Sequence, residues 1–152
     1  MPGKGTSKVR AAPPGNFGVP AGAVILIVCF FLPWVSQSGG SAMQLSGDPT
    51  KAASALTNLG IPYVKPLAVT RTLYLIPLLG LSTLMLELSV PPGHAARAFA
   101  RFAILAGGAV LCAFFAFLGL EHGPKLTYGF WGSFMGSLFI TVGVLFDVFR
   151  NE

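Results

Sequence analysis

The chain has 152 residues, 53% apolar and only 10% charged, with a net charge of +5. Soluble domains average about 25% charged residues, so there is too little charge here to coat a soluble globule, and the mean hydropathy of +0.72 agrees. A soluble enzyme and a disordered chain are excluded, and so is a nucleic-acid-binding domain, because the basic residues stand singly at the ends of apolar runs and form no stripe.

Residues 1–16 are rich in Gly, Pro, Lys and Ser. They cannot bury apolar surface and are expected to form a flexible N-terminal tail. Four charge-free apolar runs follow, and a helix needs about 20 mostly apolar residues to cross a bilayer. The runs place spans at about 17–36, 70–90, 98–120 and 127–148. The expected fold is an all-α, four-span membrane bundle.

The first run, Phe17 to Val35, ends on Pro33 and Trp34. A cleaved signal peptide competes for it, with Lys4, Lys8 and Arg10 as the basic start and Ser36-Gln37-Ser38 as a small-residue site. Pro33 and Trp34 sit awkwardly for cleavage, which favours a retained span. The segment from Ser36 to Pro66 is the largest part outside the spans. Asp48-Pro49 reads as an N-cap followed by the first helical residue, and Gly60 as a helix stop. A short amphipathic helix is predicted between them. Ala53, Leu56 and Gly60 should mark its apolar face, with Ala52 and Leu59 alongside. Ile61 to Pro66 should run extended, since Pro62 and Pro66 restrict the residues before them.

Pro77 interrupts the second span and predicts a kink near Leu73 to Pro77. Pro91-Pro92-Gly93 stops the helix on the far side, and the Ala/Arg stretch from His94 to Arg101 should start the third span early. The third span carries Gly108, Cys112 and Ala116 at four-residue spacing, and the fourth carries Gly129, Gly132, Ser133 and Gly136. Small residues let helix backbones approach in a membrane. These rows should pack helices against one another within the chain, or against a partner subunit. Cys29 and Cys112 lie inside apolar runs, so no disulfide framework and no CxxC chemistry is implied.

Orientation follows from charge and aromatic residues. Lys4, Lys8, Arg10, Arg97, Arg101 and Arg150 fall on one side, against Lys51, Lys65, Arg71 and Lys125 on the other. The basic excess places both termini in the cytoplasm. Trp34, Tyr63, Tyr74, Tyr128 and Trp131 all fall at the predicted outer level, where a membrane-interface belt is expected. At the inner ends Glu87, Arg97, Arg101, Asp147 and Arg150 should form a charge cluster, with Asp147 and Arg150 on one helix face.

No nucleophile–base pair, P-loop, HExxH or dinucleotide fingerprint occurs. Ser82, Thr83, Ser133, Ser137 and Thr141 are expected to bond to their own helix carbonyls. His94 and His122 lie in opposite loops, so they cannot share a metal or haem, and no cofactor is expected. The span pattern, with FFLPWVS, LYLIPLLGL and LTYGFWGSFMG, resembles a diffuse group of small four-span bacterial membrane proteins. That resemblance implies no site and no activity. The residues imply a non-catalytic membrane protein whose partners are the lipid bilayer and other membrane subunits or a second copy. An accessory or structural subunit fits them best. A small oligomeric transporter or channel component and an envelope binding or sensor protein acting through residues 36–66 are the alternatives.

Overall fold

The computed structural model describes residues 17–36, 40–61, 64–89 and 95–150, the last of these by its backbone. The expected tail, Tyr63, the stop Pro91–His94 and the side chain of Arg150 lie outside the described residues. Among the described residues three helical stretches are long and apolar enough to cross a membrane, Pro66–Ser89, Ala96–Lys125 and Tyr128–Phe149. A shorter apolar helix, Gly18–Phe31, joins them.

That shorter helix is α1 (Gly18–Phe31, 14 residues). Pro33 ends it by forcing Leu32 to an extended conformation, φ −82° and ψ 155°. The chain from Pro33 to Val35 then runs extended and is held on both sides. Trp34 N donates to Gly40 O at 2.9 Å, Thr127 N to Trp34 O at 3.0 Å, and Ser36 N to Lys125 O at 3.0 Å. Isolated antiparallel bridges pair Pro33 with Ser41 and Val35 with Leu126.

Two short helices cap this end. In α2 (Ala42–Gly47), Ser41 and Gln44 form a reciprocal capping box, each side chain accepting from the other's backbone N–H. The predicted amphipathic helix is α3 (Pro49–Leu59). Asp48 Oδ1 accepts from Thr50 N at 2.9 Å and Lys51 N at 3.4 Å. These bonds to the ionised form hold the Asp48 carboxyl below the usual carboxylate range. Gly60 adopts φ +85°, and bonds from Ile61 N to Leu56 O and from Gly60 N to Thr57 O close the helix. The buried face is Ala52, Ala55, Leu56 and Leu59. It is rotated from the expected one, since Gly60 is exposed and Ala53 only half-buried.

The second long stretch starts at Pro66, earlier than its charge-free run suggested. It divides into α4 (Pro66–Leu73) and α5 (Leu75–Ser89), with the break at Tyr74. The break falls within the expected kink, because Pro77 supplies no N–H to the carbonyl of Leu73. The third is α6 (Ala95–His122, 28 residues), and the fourth is α7 (Tyr128–Arg150, 23 residues). α1 packs on α7 and α5, and α6 packs on α7 and, more loosely, on α5. Neighbours alternate in direction. The core runs through Leu26, Ile76, Phe115, Phe130, Ile140 and Val144, all 1% exposed or less. The outer faces are also apolar: Val28, Leu78, Leu81, Met85, Val110, Phe117 and Phe146 are all more than half exposed. In water such surface would be an aggregation hazard, and against hydrocarbon it is not.

Candidate apolar chamber beneath the cap

The small residues are used inside the chain. A Cβ on Gly136 would stand 2.9 Å from Gly22 O, and one on Gly22 would stand 2.6 Å from Gly136 O. The backbones of α1 and α7 therefore touch. Gly132 makes room for the Cys29 side chain, and Gly129 for Trp34 and the Pro33 carbonyl. On α6, Gly108 faces Thr141. Cys112 Sγ lies 3.3 Å from Ser137 Oγ and 3.7 Å from Thr141 Oγ1. Ala116, the third of that row, is half-buried. Apart from Ala116, these residues make packing contacts within the chain, the first of the two expected uses.

The membrane-level hydroxyls are satisfied locally. Ser133 Oγ donates to Gly129 O, Ser137 Oγ to Phe134 O and Thr141 Oγ1 to Ser137 O, each at 2.8 Å. Thr83 Oγ1 donates to Leu79 O at 2.7 Å and Ser82 Oγ to Leu78 O. Ser133 and Ser137 are fully buried, so the polar stripe of α7 is packed against its neighbours and lines no path.

At the end away from the cap, Glu87 of α5 binds both arginines of α6, at 2.5 Å to Arg97 and 3.4 Å to Arg101. Arg101 also reaches Asp147 of α7, at 3.1 Å. Four residues of the expected cluster, Glu87, Arg97, Arg101 and Asp147, thus form a network tying three helices, and the side chain of Arg150 lies outside the described residues. Asp147 is 7% exposed and turns to Arg101 across the bundle. Among the described side chains the network holds two cations and two carboxylates. Among the described residues no group of three or more His, Cys, Asp or Glu could hold a metal ion.

The aromatic level divides. Tyr74, Tyr128 and Trp131 are 53%, 78% and 41% exposed at the capped end. Trp34 is buried, contrary to its expected place in the interface belt. Its ring meets Phe115 and Phe130 edge-on, each at a centroid distance of 5.7 Å, and its indole N–H donates to Cys29 O at 2.9 Å. An indole with a protein acceptor and two ring partners gains nothing from headgroup water.

Trp34 forms part of a chamber of about 370 Å³ between cap and bundle. Leu45 of α2 and Ala55 and Leu56 of α3 roof it. Val69 and Leu73 of α4 stand opposite Phe114 and Phe117 of α6, and no ionisable side chain lines it. The roof is closed: Leu45, Ala52, Ala55, Leu56, Leu59 and Ile61 are all 8% exposed or less. Lys125 Nζ ties it down with a bond to Asn58 O at 2.8 Å. Exposure is concentrated at the side, where Phe117 is 60% exposed and Val69, Phe114 and Leu118 are half-buried.

Phe114 also lines a groove of about 410 Å³ between α5 and α6. Through Leu79 and Ser82 that groove adjoins another of about 620 Å³, reaching Ser89 and Phe99. Chamber and grooves thus share wall residues and make a mainly apolar series beside α6. Sequence reasoning missed it because its walls come from six elements and carry no motif. Compared with known protein families, curated proteins and solved structures, the chain matches none.

Proposed function

We propose that this is a non-catalytic four-span membrane protein that works by binding an apolar molecule under its outer cap. The observation that carries the reading is the chamber. Its volume lies in the range of small-molecule sites, about 300–1,000 Å³, and its walls suit only apolar matter.

Two further features support the membrane placement. α1 has 14 residues, which span about 21 Å. The extended Pro33–Val35 adds about 10 Å, and together they match a hydrocarbon core of about 30 Å. Non-helical backbone is tolerated at that depth where protein satisfies it, as the bonds on both sides of Trp34 do. The basic excess and the exposed Tyr74, Tyr128 and Trp131 favour cytoplasmic termini and an external cap.

The test is extraction. The full chain, purified in mild detergent, should retain an apolar molecule stoichiometrically by mass spectrometry, and Ala55→Phe should lose it. A purified chain that retains nothing refutes the reading.

A second reading, an accessory subunit in a larger assembly, draws on the α5–α6 seam. Ala103, Ala106 and Gly107 line its grooves and would admit a partner's helix. Cross-linking from Ala106→Cys to another membrane protein in intact cells tests it, and an absence of any cross-linked product counts against it.

A further inference from the structure

We infer that the occupant of the chamber is an acyl chain of an outer-leaflet phospholipid, which enters sideways between α4 and α6. The inference rests on the proposed function and adds to it the ligand class and the route.

The route follows from exposure. The roof residues are buried and Lys125 holds the cap to the bundle. The lining residues that reach the surface are Val64, just before α4, and residues of α4 and α6, and among them Phe114 is a wall shared with the α5–α6 groove. The rest of that groove is walled by Leu75, Leu78, Val110 and their neighbours, of which these three are about half exposed or more. With α5 and α6 in a bilayer, that groove faces lipid tails. A molecule arriving by this path is already dissolved in the membrane and presents hydrocarbon first.

The chemistry follows from the walls and the rim. Sixteen residues line the chamber and none is charged or hydroxylated, so a polar headgroup has no partner inside and stays outside. At the mouth, Lys65 precedes α4 by one residue, on the face of Val69 four residues later, and it is exposed. A cation beside the mouth of an apolar chamber complements a phosphate at the top of an acyl chain. Trp34, at the chamber floor, lies within reach of a chain that fills it.

Trp34 also provides the measurement. The chain has two tryptophans, so Trp131→Phe leaves Trp34 as the only one. The full-length variant is reconstituted into phosphatidylcholine vesicles with plain or brominated acyl chains, since bromine quenches indole emission on contact. The expected result is loss of Trp34 emission in the brominated vesicles, restored when Ala55→Phe fills the chamber. If Ala55→Phe does not fold, Val69→Phe blocks the mouth and should restore emission in its place. Trp34 emission that ignores bromination overturns the inference. So does quenching that persists in the filled and blocked variants, because the bromine then reaches Trp34 by another path. The extraction result separates the two levels. An apolar molecule retained without Trp34 quenching, for example a prenyl chain, removes the phospholipid assignment and keeps the binding function. No retained molecule and no quenching removes both.

Discussion

The indole N–H of Trp34 donates to the carbonyl of Cys29 at 2.9 Å, where it joins Leu32 N at 3.2 Å and adds the second bond that Pro33, without an amide, cannot give. In an uninterrupted helix the residue at position 33 would donate to the carbonyl at 29. The proline that ends α1 and the side chain that repairs its end are therefore adjacent in sequence. Trp34→Phe keeps a ring against Phe115 and Phe130 but deletes the donor. It should cost about 0.5–1.5 kcal/mol, the range for one hydrogen bond, because Cys29 O keeps its bond from Leu32 N. Unfolding in detergent, compared with Trp131→Phe as the exposed control, measures it. Equal losses for the two would refute the repair.

Backbone contact between α1 and α7 makes Gly22 and Gly136 intolerant of any side chain. Gly136→Ala and Gly22→Ala should each destabilise by about 1–3 kcal/mol through overpacking. Once one methyl has parted the helices the second meets less resistance. The double variant should then fall short of the sum by more than about 0.5 kcal/mol. Gly47→Ala, where an added Cβ meets nothing within 4 Å, is the neutral control.

Arg101 bridges Glu87 and Asp147, which sit on different helices. Arg101→Met should loosen the uncapped end, by about 1–3 kcal/mol given that these groups are only partly buried. Adding Asp147→Asn should cost less in the Arg101→Met background than in the native chain, because the Arg101–Asp147 pair is already lost there. Thermal unfolding of the single and double variants decides it. An equal cost of Asp147→Asn in both backgrounds would show that Arg101 acts by packing alone.

The cap of α3 should respond to acid. Bonds from Thr50 and Lys51 lower the Asp48 pKa, so the folded value lies below the unfolded one. The stabilisation is present above the unfolded pKa and is lost as pH falls through the folded pKa. Amide exchange across α3 should therefore speed up in the acid carboxylate range. In Asp48→Asn, which still caps but does not titrate, that acceleration should disappear.

Orientation is open to labelling. In a background of Cys29→Ala and Cys112→Ala, Ser54→Cys on the exposed side of α3 should react with an impermeant thiol reagent on intact cells. Reaction only after lysis would invert the proposed topology. Ser46, in the same cap, is 6% exposed and unsuited to the purpose.

Features written in consecutive residues were legible in advance. Asp48-Pro49, Gly60 and Pro77 each act on their own backbone, and each marks a helix end or break where expected, while Pro33 ends α1 at Phe31, short of the span expected to reach 36. The Ser41-x-x-Gln44 box that starts α2 is equally local and was a readable signal passed over. What was not legible depends on partners far along the chain. Lys65 and Arg71 suggested a loop, yet α4 carries the helix back to Pro66. Trp34 has the composition of a belt residue and is buried only because Phe115 and Phe130 arrive beside it. Of the candidate site, the amphipathic helix was foreseen but not the space beneath it. That space is what packing leaves unfilled, and no residue encodes it alone.

The strap at Pro33–Val35 also bears on how the molecule is assembled. Its Thr127 Oγ1 bond spans 94 residues, so α1 is made well before its partner α7. Until that helix arrives, the carbonyls of Pro33 and Trp34 face the membrane boundary without Thr127 and Gly129. Backbone groups left open there are costly. The end of α1 thus reaches its final form only when α7 joins it, and a chain cut short before Thr127 leaves the Pro33–Val35 strap unfinished.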